Sequence, residues 1–331
     1  MTGLAICGIG NIGKVHLDNL RSLRGCRVTG IYDINREEAA RVSQSAGVRA
    51  YGSAEEMLGD SQAHGIVVAT PSSSHREWCD RALRAGKHVF VEKPLAGTLD
   101  DARAIAEMAR SSGQVVQVGF CERFNAQYLE ARGAVHGGEL GAVRAIHSSR
   151  WAPYEMSDPG WEMGVLDTAV HNLDLILWLM QRVPQSVLAR GTKVYPDAAA
   201  AHSATTLLSF NGGAMAVDHI AWVSGAAHPL SQCARSRMMI HGELGSFEID
   251  LNYRPSNILR GAEFRGIDSV IIGGPQYYGC LKLQFEYFLK SIEEGSPVLA
   301  PVDDALMTER VALAALASFR SDVEVQLEEF A

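Results

Sequence analysis

The sequence lacks clusters of lysine and arginine, and its basic residues are fewer than its acidic ones. It contains 30 lysine and arginine residues against 38 aspartate and glutamate residues, which gives a formal net charge of −8 at pH 7. A nucleic-acid-binding surface needs concentrated positive charge on one face. The charge balance therefore predicts that the chain has no nucleic-acid partner.

Long hydrophobic runs and paired cysteines are also missing. The most apolar helix-like run, Leu173–Met180, directly follows charged and polar residues, so no membrane span is predicted. A strand-like run begins almost at once, at Leu4–Cys7, and leaves no room for a signal peptide. The six cysteines lie far apart without a C-x-x-C pair, which is typical of a reduced protein without disulfides or a zinc site. We therefore expect a cytoplasmic protein.

The length of 331 residues and the hydrophobic content of 47% allow a full core and predict two domains. In residues 1–120, short apolar runs alternate with amphipathic segments, and this β-α-β order predicts a doubly wound parallel sheet of the α/β class. The predicted strands are Leu4–Cys7, Arg27–Tyr32, Gly65–Ala69, His88–Val91 and Val115–Val118.

Residues 121–331 have a different pattern. Gly164–Met180 carries the apolar stripe of one long helix, and five later runs are typical of antiparallel strands. Asn211-Gly212 is typical of a hairpin turn between two of them. We expect an α+β domain that binds the substrate, with a large, mostly antiparallel open sheet. The free face of that sheet is expected to form a homodimer or homotetramer.

A glycine-rich turn follows the first predicted strand. Its spacing is G-x-G-x-x-G, which by itself is weak evidence because the chain contains 32 glycines. A strand before the turn and a helix-like segment after it strengthen the signal, because backbone N–H groups can then approach a pyrophosphate at a helix N-terminus. The residues predicted to bind the cofactor here are Gly8, Gly10, Asn11, Ile12 and Gly13.

Asp33 ends the second predicted strand, where a carboxylate can accept hydrogen bonds from the ribose hydroxyls of a dinucleotide. A 2′-phosphate would meet like charge there, so NAD is favoured over NADP. Arg36 would instead suit the phosphate of NADP. For Asp33, the alternative interpretation is a turn residue at the end of the strand that does not bind the cofactor. Ile34, between them, is assigned to the same cofactor site.

The third predicted strand ends in Thr70-Pro71-Ser72-Ser73-Ser74-His75. Pro71 breaks the strand, and Ser74 fits the N-cap of the next helix. Because this loop lies at the carboxyl edge of the sheet, we expect Thr70, Pro71 and Ser72 to contact the cofactor. For His75, a cofactor contact and a place on the surface of the helix are equally open.

The stretch from His88 to Pro94 places Glu92, Lys93 and Pro94 directly after a short apolar strand. A parallel strand buried on both faces carries apolar side chains until it emerges at its carboxyl edge, where open α/β sheets bind ligands. All three residues are therefore assigned to the cofactor site, and Lys93 is placed to meet a substrate. The alternative interpretation is that Lys93 is a solvent-exposed lysine at the end of the strand and contacts no ligand.

On the predicted long helix, Asp167, His171 and Asp174 follow the spacing i, i+4, i+7 and project from one face. They allow three interpretations: a polar face in water, a metal site, or an acid–base pair. The metal site lacks the second histidine of a helical zinc motif. In an acid–base pair, the carboxylate orients a histidine that titrates near neutral pH. The cofactor motif and Lys93 in the same chain favour the acid–base pair.

The glycine turn, Glu92-Lys93-Pro94 and Asp167-x-x-x-His171 together resemble the glucose–fructose oxidoreductase / inositol dehydrogenase / MocA (Gfo/Idh/MocA) family over nearly the whole chain. The resemblance implies an NAD-binding Rossmann domain, a second domain with a large open sheet, and dimers or tetramers. It also implies that Lys93, Asp167 and His171 are catalytic and that the Lys93–Pro94 bond is cis.

The same resemblance implies that Arg123, in Cys121-Glu122-Arg123-Phe124-Asn125, lines the active site. One departure from the family is Trp161-Glu162-Met163-Gly164, where a glycine-rich run is common. The expected reaction is NAD-dependent oxidation of a secondary hydroxyl of a sugar or cyclitol, or the reverse. A non-catalytic, NAD-sensing regulatory protein on the same fold is the alternative.

Three aromatic residues near the long helix, Trp151, Tyr154 and Trp161, are interspersed with carboxylates. Rings that stack on C–H faces and acids that accept hydroxyl hydrogen bonds suit a polyol. The carboxylates would also attract an amino group, which extends the prediction to amino sugars, aminocyclitols and aminoglycoside biosynthesis. Two alternatives remain. In the first, Arg123, Arg235 and Arg237 bind the phosphate or carboxylate of a substrate such as a nucleotide-linked sugar. In the second, the aromatic rings pack between the domains and do not contact a substrate.

Overall fold

The computed structural model describes residues 1–153, 165–193, 201–224, 235–251, 258–260, 263–265 and 279–330. The chain divides into two compact units. The first comprises Met1–Asn125 and Ser269–Leu306, and the second comprises Ala126–Asp268 and Met307–Ala331. The first unit is therefore formed by two separate stretches of chain, whereas the sequence suggested one boundary near residue 120.

The first unit contains a sheet of five parallel strands in the order β2-β1-β3-β4-β5. The strands are β1 (Thr2–Cys7), β2 (Cys26–Tyr32), β3 (Gly65–Val68), β4 (His88–Val91) and β5 (Val116–Val118). The helices between and after them are α1 (Asn11–Arg21), α2 (Arg36–Ala46), α3 (Ala54–Gly59), α4 (His75–Arg84) and α5 (Leu99–Ser112). This confirms the predicted doubly wound parallel sheet.

Both faces of this sheet are buried, as its apolar strands require. Successive residues of β1 belong to different cores: Ile6 packs with Leu17 and Leu20 of α1, whereas Cys7 packs on the opposite side. The opposite core includes Trp78 of α4, together with buried residues of α5. The period of two along each strand thus produces helices on both sides of the sheet.

The second unit contains a sheet of seven strands in the order β11-β10-β6-β9-β8-β7-β14. Its elements begin with α6 (Ala126–His136), β6 (Val143–Pro153), α7 (Val165–Met180), β7 (Ser186–Thr192), β8 (Ser203–Ser209) and β9 (Met215–Ser224). They continue with β10 (Arg235–Gly242), β11 (Ser246–Asp250), β12 (Ile258–Arg260) and β13 (Glu263–Arg265), and the last two form a separate hairpin.

Neighbouring strands of the larger sheet are antiparallel except for β6 and β9, which run parallel. The predicted mostly antiparallel sheet is therefore confirmed. Asn211-Gly212 lies in the turn between β8 and β9, and Gly212 has a φ of 79°, in the left-handed region that favours glycine.

The chain ends with α8 (Cys280–Glu294), α9 (Val302–Ser321) and β14 (Val325–Gln326). Helix α8 packs on the first unit, because Phe285, Phe288 and Leu289 form an apolar stripe that joins the core beside α1. This packing explains why the assignment of 121–331 to one domain differs from the observed division.

Candidate functional site

The glycine turn after β1 has the geometry that its spacing predicts. Gly8 has a φ of +90°, and a Cβ atom there would lie 2.6 Å from the carbonyl oxygen of Ala69. A Cβ atom on Gly13 would lie 2.1 Å from the carbonyl oxygen of Gly8, so helix and turn touch backbone to backbone. A Cβ atom on Gly10 would meet nothing within 4 Å. Open space at the second glycine is what the approach of a pyrophosphate needs.

Helix α1 begins directly at this turn. Its N-cap is Gly10, which has no side chain to accept a hydrogen bond, and its first turn contains no acidic residue. The first N–H groups of a helix have no partner within the helix, and its dipole favours an anion. The turn therefore fits the pyrophosphate of a dinucleotide. Asn11 and Ile12 are the first residues of the helix, and their contacts with a cofactor remain predictions.

Asp33 connects the end of β2 to the glycine turn. One carboxylate oxygen accepts the N–H of Ile9 at 2.7 Å, and the other accepts the N–H of Asn35 at 2.8 Å. A carboxylate has about four acceptor sites, so these two bonds leave capacity for a ribose hydroxyl. The plain turn role and the cofactor role of Asp33 are therefore compatible.

The two residues next to Asp33 differ in their surroundings. Ile34 is 84% exposed, which leaves an apolar side chain beside the carboxylate. The Arg36 guanidinium donates to the carbonyl oxygen of Gly52 and lies 5.7 Å from the centre of the Tyr32 ring. Arg36 thus has partners within the protein, and its predicted contact with the cofactor stays a prediction.

His75 is only 1% exposed, so its alternative placement on the helix surface is wrong. Its Nε2 atom lies 2.8 Å from the carbonyl oxygen of Thr70, and its Nδ1 atom lies 3.1 Å from that of Pro94. Burial lowers the pKa of His75, although the neighbouring carbonyl groups oppose this effect. The ring therefore spans the loops that follow β3 and β4, both at the carboxyl edge of the sheet. Pro71 and Ser72 lie in the first of these loops, and their cofactor contacts remain predictions.

The loop after β4 positions Lys93. The Lys93–Pro94 bond is cis, which confirms the expectation from the family resemblance. Lys93 is half-buried at the carboxyl edge, so it is not a fully solvated strand end. The Glu92 side chain is buried: Oε1 lies 2.6 Å from Nε2 of His16, and Oε2 accepts the N–H of Lys93 at 3.0 Å.

The surroundings of Glu92 also determine its charge. Burial raises the pKa of this carboxyl group, but the His16 hydrogen bond and the positive charge of Lys93 outweigh burial and hold the pKa below its usual value. Both carboxylate oxygens have partners inside the unit. These bonds therefore do not support the predicted contact of Glu92 with the cofactor. They support a role of Glu92 in holding the backbone of Lys93.

Arg123 is 1% exposed and lies in a short 3-10 helix after β5. Its Nη1 atom donates to the carbonyl oxygen of Leu299 at 2.8 Å and to the carboxylate of Asp304 at 2.7 Å. These bonds hold the end of the parallel sheet to the start of α9. The predicted role of Arg123 in substrate binding remains a prediction.

In the second unit, α7 carries the predicted acid–base residues. His171 is half-buried. Asp174 is 1% exposed and lies 3.4 Å from the hydroxyl of Thr308, so the interpretation as a polar face in water is wrong for this residue. For Asp167 the structure describes the helical backbone but not the side chain.

The predicted aromatic residues are only partly covered by the described structure. Trp151 lies on β6 and is 36% exposed, so its ring has a free surface. Tyr154 and Trp161 lie outside the described residues. Their roles in substrate binding, like that of Trp151, remain predictions.

A buried polar network beneath α7 was not predicted. The Arg150 Nε atom donates to the side-chain oxygen of Asn172 at 3.1 Å, and the Asn172 amide donates to Oδ1 of Asp218 at 2.7 Å. Burial raises the pKa of Asp218 to about 6, although the Asn172 hydrogen bond works in the opposite direction. Asn172 directly follows His171, so the network fixes α7 to the sheet next to that histidine. The available sequence signal was Asn172, an amide on α7 that does not belong to the Asp167, His171 and Asp174 set.

Two kinds of feature are absent from the described parts of the chain. No group of three or more histidine, cysteine, aspartate or glutamate residues there could hold a metal ion. No helix in those parts is long and apolar enough to span a membrane.

Comparisons with known proteins agree with this geometry. Residues 2–120 match the Gfo/Idh/MocA oxidoreductase family with an NAD-binding Rossmann fold, and residues 128–248 match the Gfo/Idh/MocA C-terminal domain. A curated relative, scyllo-inositol 2-dehydrogenase (NAD(+)) of Bacillus subtilis strain 168, is 25% identical over 338 residues, covering 98% of this chain and 96% of the relative.

Two solved structures share the fold. The scyllo-inositol dehydrogenase of Lactobacillus casei, with NAD(H) and scyllo-inositol bound, has a TM-score of 0.84 at 20% identity and covers 99% of this chain and 100% of that one. GenD2 from gentamicin A biosynthesis, in complex with NAD, has the same TM-score and identity and covers 98% of this chain and 96% of that one. The chain belongs to the Gfo/Idh/MocA family and is an NAD-dependent dehydrogenase.

Proposed function

We propose that this dehydrogenase oxidises a secondary hydroxyl of a cyclitol or sugar to a ketone, or catalyses the reverse reduction, with Lys93, Asp167 and His171 as its acid–base residues. The observation that carries the proposal is the position of Lys93. It lies directly after β4 at the carboxyl edge, the edge at which β1 enters the glycine turn. Open α/β sheets bind their ligands at this edge.

The chemistry of these groups suits alcohol oxidation. When bound, NAD supplies the acceptor for the hydride of the carbinol carbon. In the proposal, His171 takes the proton of the substrate hydroxyl, because an imidazole is a base suited to neutral pH. Lys93, as an ammonium group, donates a hydrogen bond to the same oxygen and stabilises its developing negative charge. Asp167 orients the imidazole or holds a neighbouring hydroxyl.

The substrate class rests on the relatives and on the residues near α7. The relative from Bacillus subtilis is named as a dehydrogenase of scyllo-inositol, which supports a cyclitol. The neighbouring Arg150 on β6 points towards Asn172 of α7, so the Trp151 ring projects from the opposite face of the sheet, and its stacking on the substrate gains no support from this position. An aminated cyclitol or sugar is the narrower form of the proposal, since carboxylates of residues 155–162 would attract an amino group.

A nucleotide-linked sugar is less well supported. Arg237, one of the arginines that suggested it, lies 2.9 Å from a carboxylate oxygen of Glu248 and 3.3 Å from one of Asp250. Arg123 is paired with Asp304. Neither guanidinium needs a phosphate to balance its charge, and the side chain of Arg235 lies outside the described residues.

A substrate panel tests the proposal directly. Purified protein is incubated with NAD and, separately, with inositol isomers, neutral sugars, amino sugars, aminocyclitols and a nucleotide-linked sugar, and NADH absorbance is followed. We expect turnover with a cyclitol or sugar carrying a free secondary hydroxyl. NAD binding without turnover of any of them would favour the NAD-sensing regulatory protein.

Substitutions test the residue roles. We expect Lys93→Ala and His171→Ala to lower turnover by about a hundredfold or more, the range for acid–base groups, while NAD affinity changes little. Lys87→Ala and His136→Ala are the matched controls, because they remove the same side-chain types elsewhere in each unit. Turnover of Lys93→Ala or His171→Ala equal to its control would remove the proposed role of that residue.

The oligomer is a separate part of the proposal. The face of the seven-stranded sheet that carries His147, Trp151, Met215 and Arg237 is largely accessible, and large side chains project from it. We expect this face to join copies of the chain into a dimer or tetramer. Light scattering of the native protein and of Met215→Arg tests this, and an unchanged oligomer in the variant would exclude the face.

A further inference from the structure

We propose that His16 is a positioning residue for Lys93: through Glu92 it fixes the backbone from which the lysine reaches the substrate. This inference rests on the proposed catalytic role of Lys93. His16 lies in the second turn of α1, the helix that begins at the glycine turn. One helix would thus serve both the dinucleotide and the lysine.

The contacts form a continuous path from α1 to Lys93. The Nε2 atom of His16 lies 2.6 Å from Oε1 of Glu92, and both side chains are buried. The other oxygen, Oε2, accepts the backbone N–H of Lys93 at 3.0 Å. The backbone N–H of Glu92 donates to the carbonyl oxygen of Val68 at 2.9 Å. Residue 92 is therefore held by the neighbouring strand and by α1.

The surroundings leave the pair no room to rearrange. The His16 ring contacts Phe90 and Phe285 edge to face, with ring centres 5.6 and 4.9 Å apart. A Cβ atom on Gly119 would lie 2.9 Å from Oε1 of Glu92, so the backbone of residue 119 packs directly on the carboxylate. A well-packed interior allows a side chain few alternative positions. The His16 ring therefore determines where the Glu92 carboxylate lies.

The chemistry of the pair defines which groups carry protons. An ionised carboxylate only accepts hydrogen bonds, so the Nε2 atom of His16 must be the donor. The Nδ1 atom of His16 has no hydrogen-bond partner among the described residues and lies in an apolar, aromatic setting. A polar ring atom without a partner gains nothing in this setting, so the hydrogen bond of the His16 ring is made through Nε2 alone. The Glu92 carboxylate therefore uses one oxygen for His16 and the other for the backbone N–H of Lys93.

Three variants separate the hydrogen bond from simple packing. His16→Leu removes the donor and keeps an apolar side chain, whereas the amide of His16→Gln can replace Nε2 as a donor. Leu20→Ala is the matched control, because it weakens the buried face of the same helix without touching Glu92. Melting temperature and NAD affinity are measured for each variant. Turnover is followed with the substrate identified by the panel.

We expect His16→Leu to lower kcat by about tenfold or more, whereas His16→Gln restores most of it, because a misplaced catalytic group affects the reaction step. Leu20→Ala should lower the melting temperature and leave kcat within about twofold. In the Lys93→Ala background, His16→Leu should cause no further fall, since both changes act through one group. A kcat of His16→Leu equal to that of Leu20→Ala would overturn the proposal.

A second readout does not depend on turnover. The rate at which an anhydride reagent acylates Lys93 is measured at one fixed pH by peptide mass spectrometry, in the presence and absence of NAD. Glu92→Gln leaves a single acceptor oxygen for both His16 and the backbone N–H of Lys93, so the acylation rate of Lys93 should differ from the native rate, while Leu20→Ala leaves it unchanged. If Lys93→Ala keeps full turnover, the proposed function fails. If Lys93→Ala is inactive but the His16 and Glu92 variants match the control in kcat and acylation, only this inference fails.

Discussion

The glycine turn in the first unit and helix α7 in the second are held in place by different means. In the first, backbone groups at strand ends form the site, and close contacts such as Gly13 against Gly8 leave no space for another atom. In the second, side chains on α7 are held by a buried polar network that includes Asn172 and Asp218. Sterics therefore dominate at the glycine turn of the first unit, whereas charge and hydrogen bonding dominate beneath α7 in the second unit.

This difference predicts different responses to substitution. A change at the glycine turn should act at every pH, because an atomic overlap does not titrate. A change in the network beneath α7 should depend on pH, because Asp218 gains or loses a proton in an accessible range.

The largest effect is expected from Gly13→Ala. Its Cβ atom would lie 2.1 Å from a backbone oxygen, so the free energy of unfolding should fall by about 3 kcal/mol or more, and NAD binding should be lost. Gly10→Ala is the control: its Cβ atom meets open space, so stability should change little while NAD affinity falls. Denaturant unfolding and NAD titration measure both. Equal stability losses in the two variants would contradict the steric argument.

Asp218→Asn should show the pH dependence expected of the second unit. The pKa of Asp218 is raised from 3.8 to about 6 in the folded protein, so the folded state binds the proton more tightly than the unfolded state. Its contribution to stability is therefore present at low pH, falls between about pH 4 and 6, and stays lower above that window. The loss is about 3 kcal/mol for a shift of this size.

The asparagine variant cannot ionise but still accepts the hydrogen bond from Asn172. Unfolding measured from pH 4 to 8 should show that this variant does not lose stability across the window, whereas the native protein does. Asp100→Asn, at an exposed position, is the control and should follow the native curve. If the free energy of unfolding of the native protein does not change between pH 4 and 6, the raised pKa of Asp218 is contradicted.

Asp33→Ser tests the role of the Asp33 carboxylate in cofactor binding by the first unit. Loss of a charged hydrogen-bond acceptor is worth about 1.5–3 kcal/mol, so NAD affinity should fall about tenfold or more. The affinity for NADP should fall less, because the repulsion of its phosphate is also removed. Titration of both cofactors gives the ratio. If the ratio of the NAD and NADP affinities is the same in the variant and in the native protein, Asp33 only stabilises its turn.

Ser53→Ala should have the smallest effect. It shows how a small loss of stability alone affects NAD affinity and turnover. Ser53 is the N-cap of α3, and its hydroxyl accepts the N–H of Glu56 at 3.0 Å. Removing the cap should cost about 1 kcal/mol in the free energy of unfolding. NAD affinity and turnover should stay unchanged at 25 °C. A fall in either would mean that general stability loss contributes to the effects of the other variants.

Much of the first unit could be predicted because buried parallel strands appear as short apolar runs. The strand β4 has the predicted bounds, His88–Val91, and the observed β5 differs from the predicted strand Val115–Val118 only by the absence of Val115. The division into units could not be predicted in the same way. The apolar stripe of α8 identifies a helix but does not indicate which core it joins.

The site shows the same limit. Lys93 and the glycine turn could be identified locally, because each follows a strand directly. The partners that hold such residues are distant in sequence: His16 and Glu92 are 76 residues apart, and Asn172 and Asp218 are 46 apart. No local pattern connects such pairs, since a buried polar contact depends on the folded arrangement.

The return of α8 to the first unit has a consequence for the order of events during synthesis. Phe285 and Phe288 complete a core that otherwise comes from residues before Asn125. A ribosome makes more than a hundred intervening residues of the second unit before it supplies these side chains. The nascent parallel sheet therefore carries an uncovered apolar surface until late in translation, and a fragment ending at Asn125 should need a chaperone or a separately supplied α8 peptide to stay in solution.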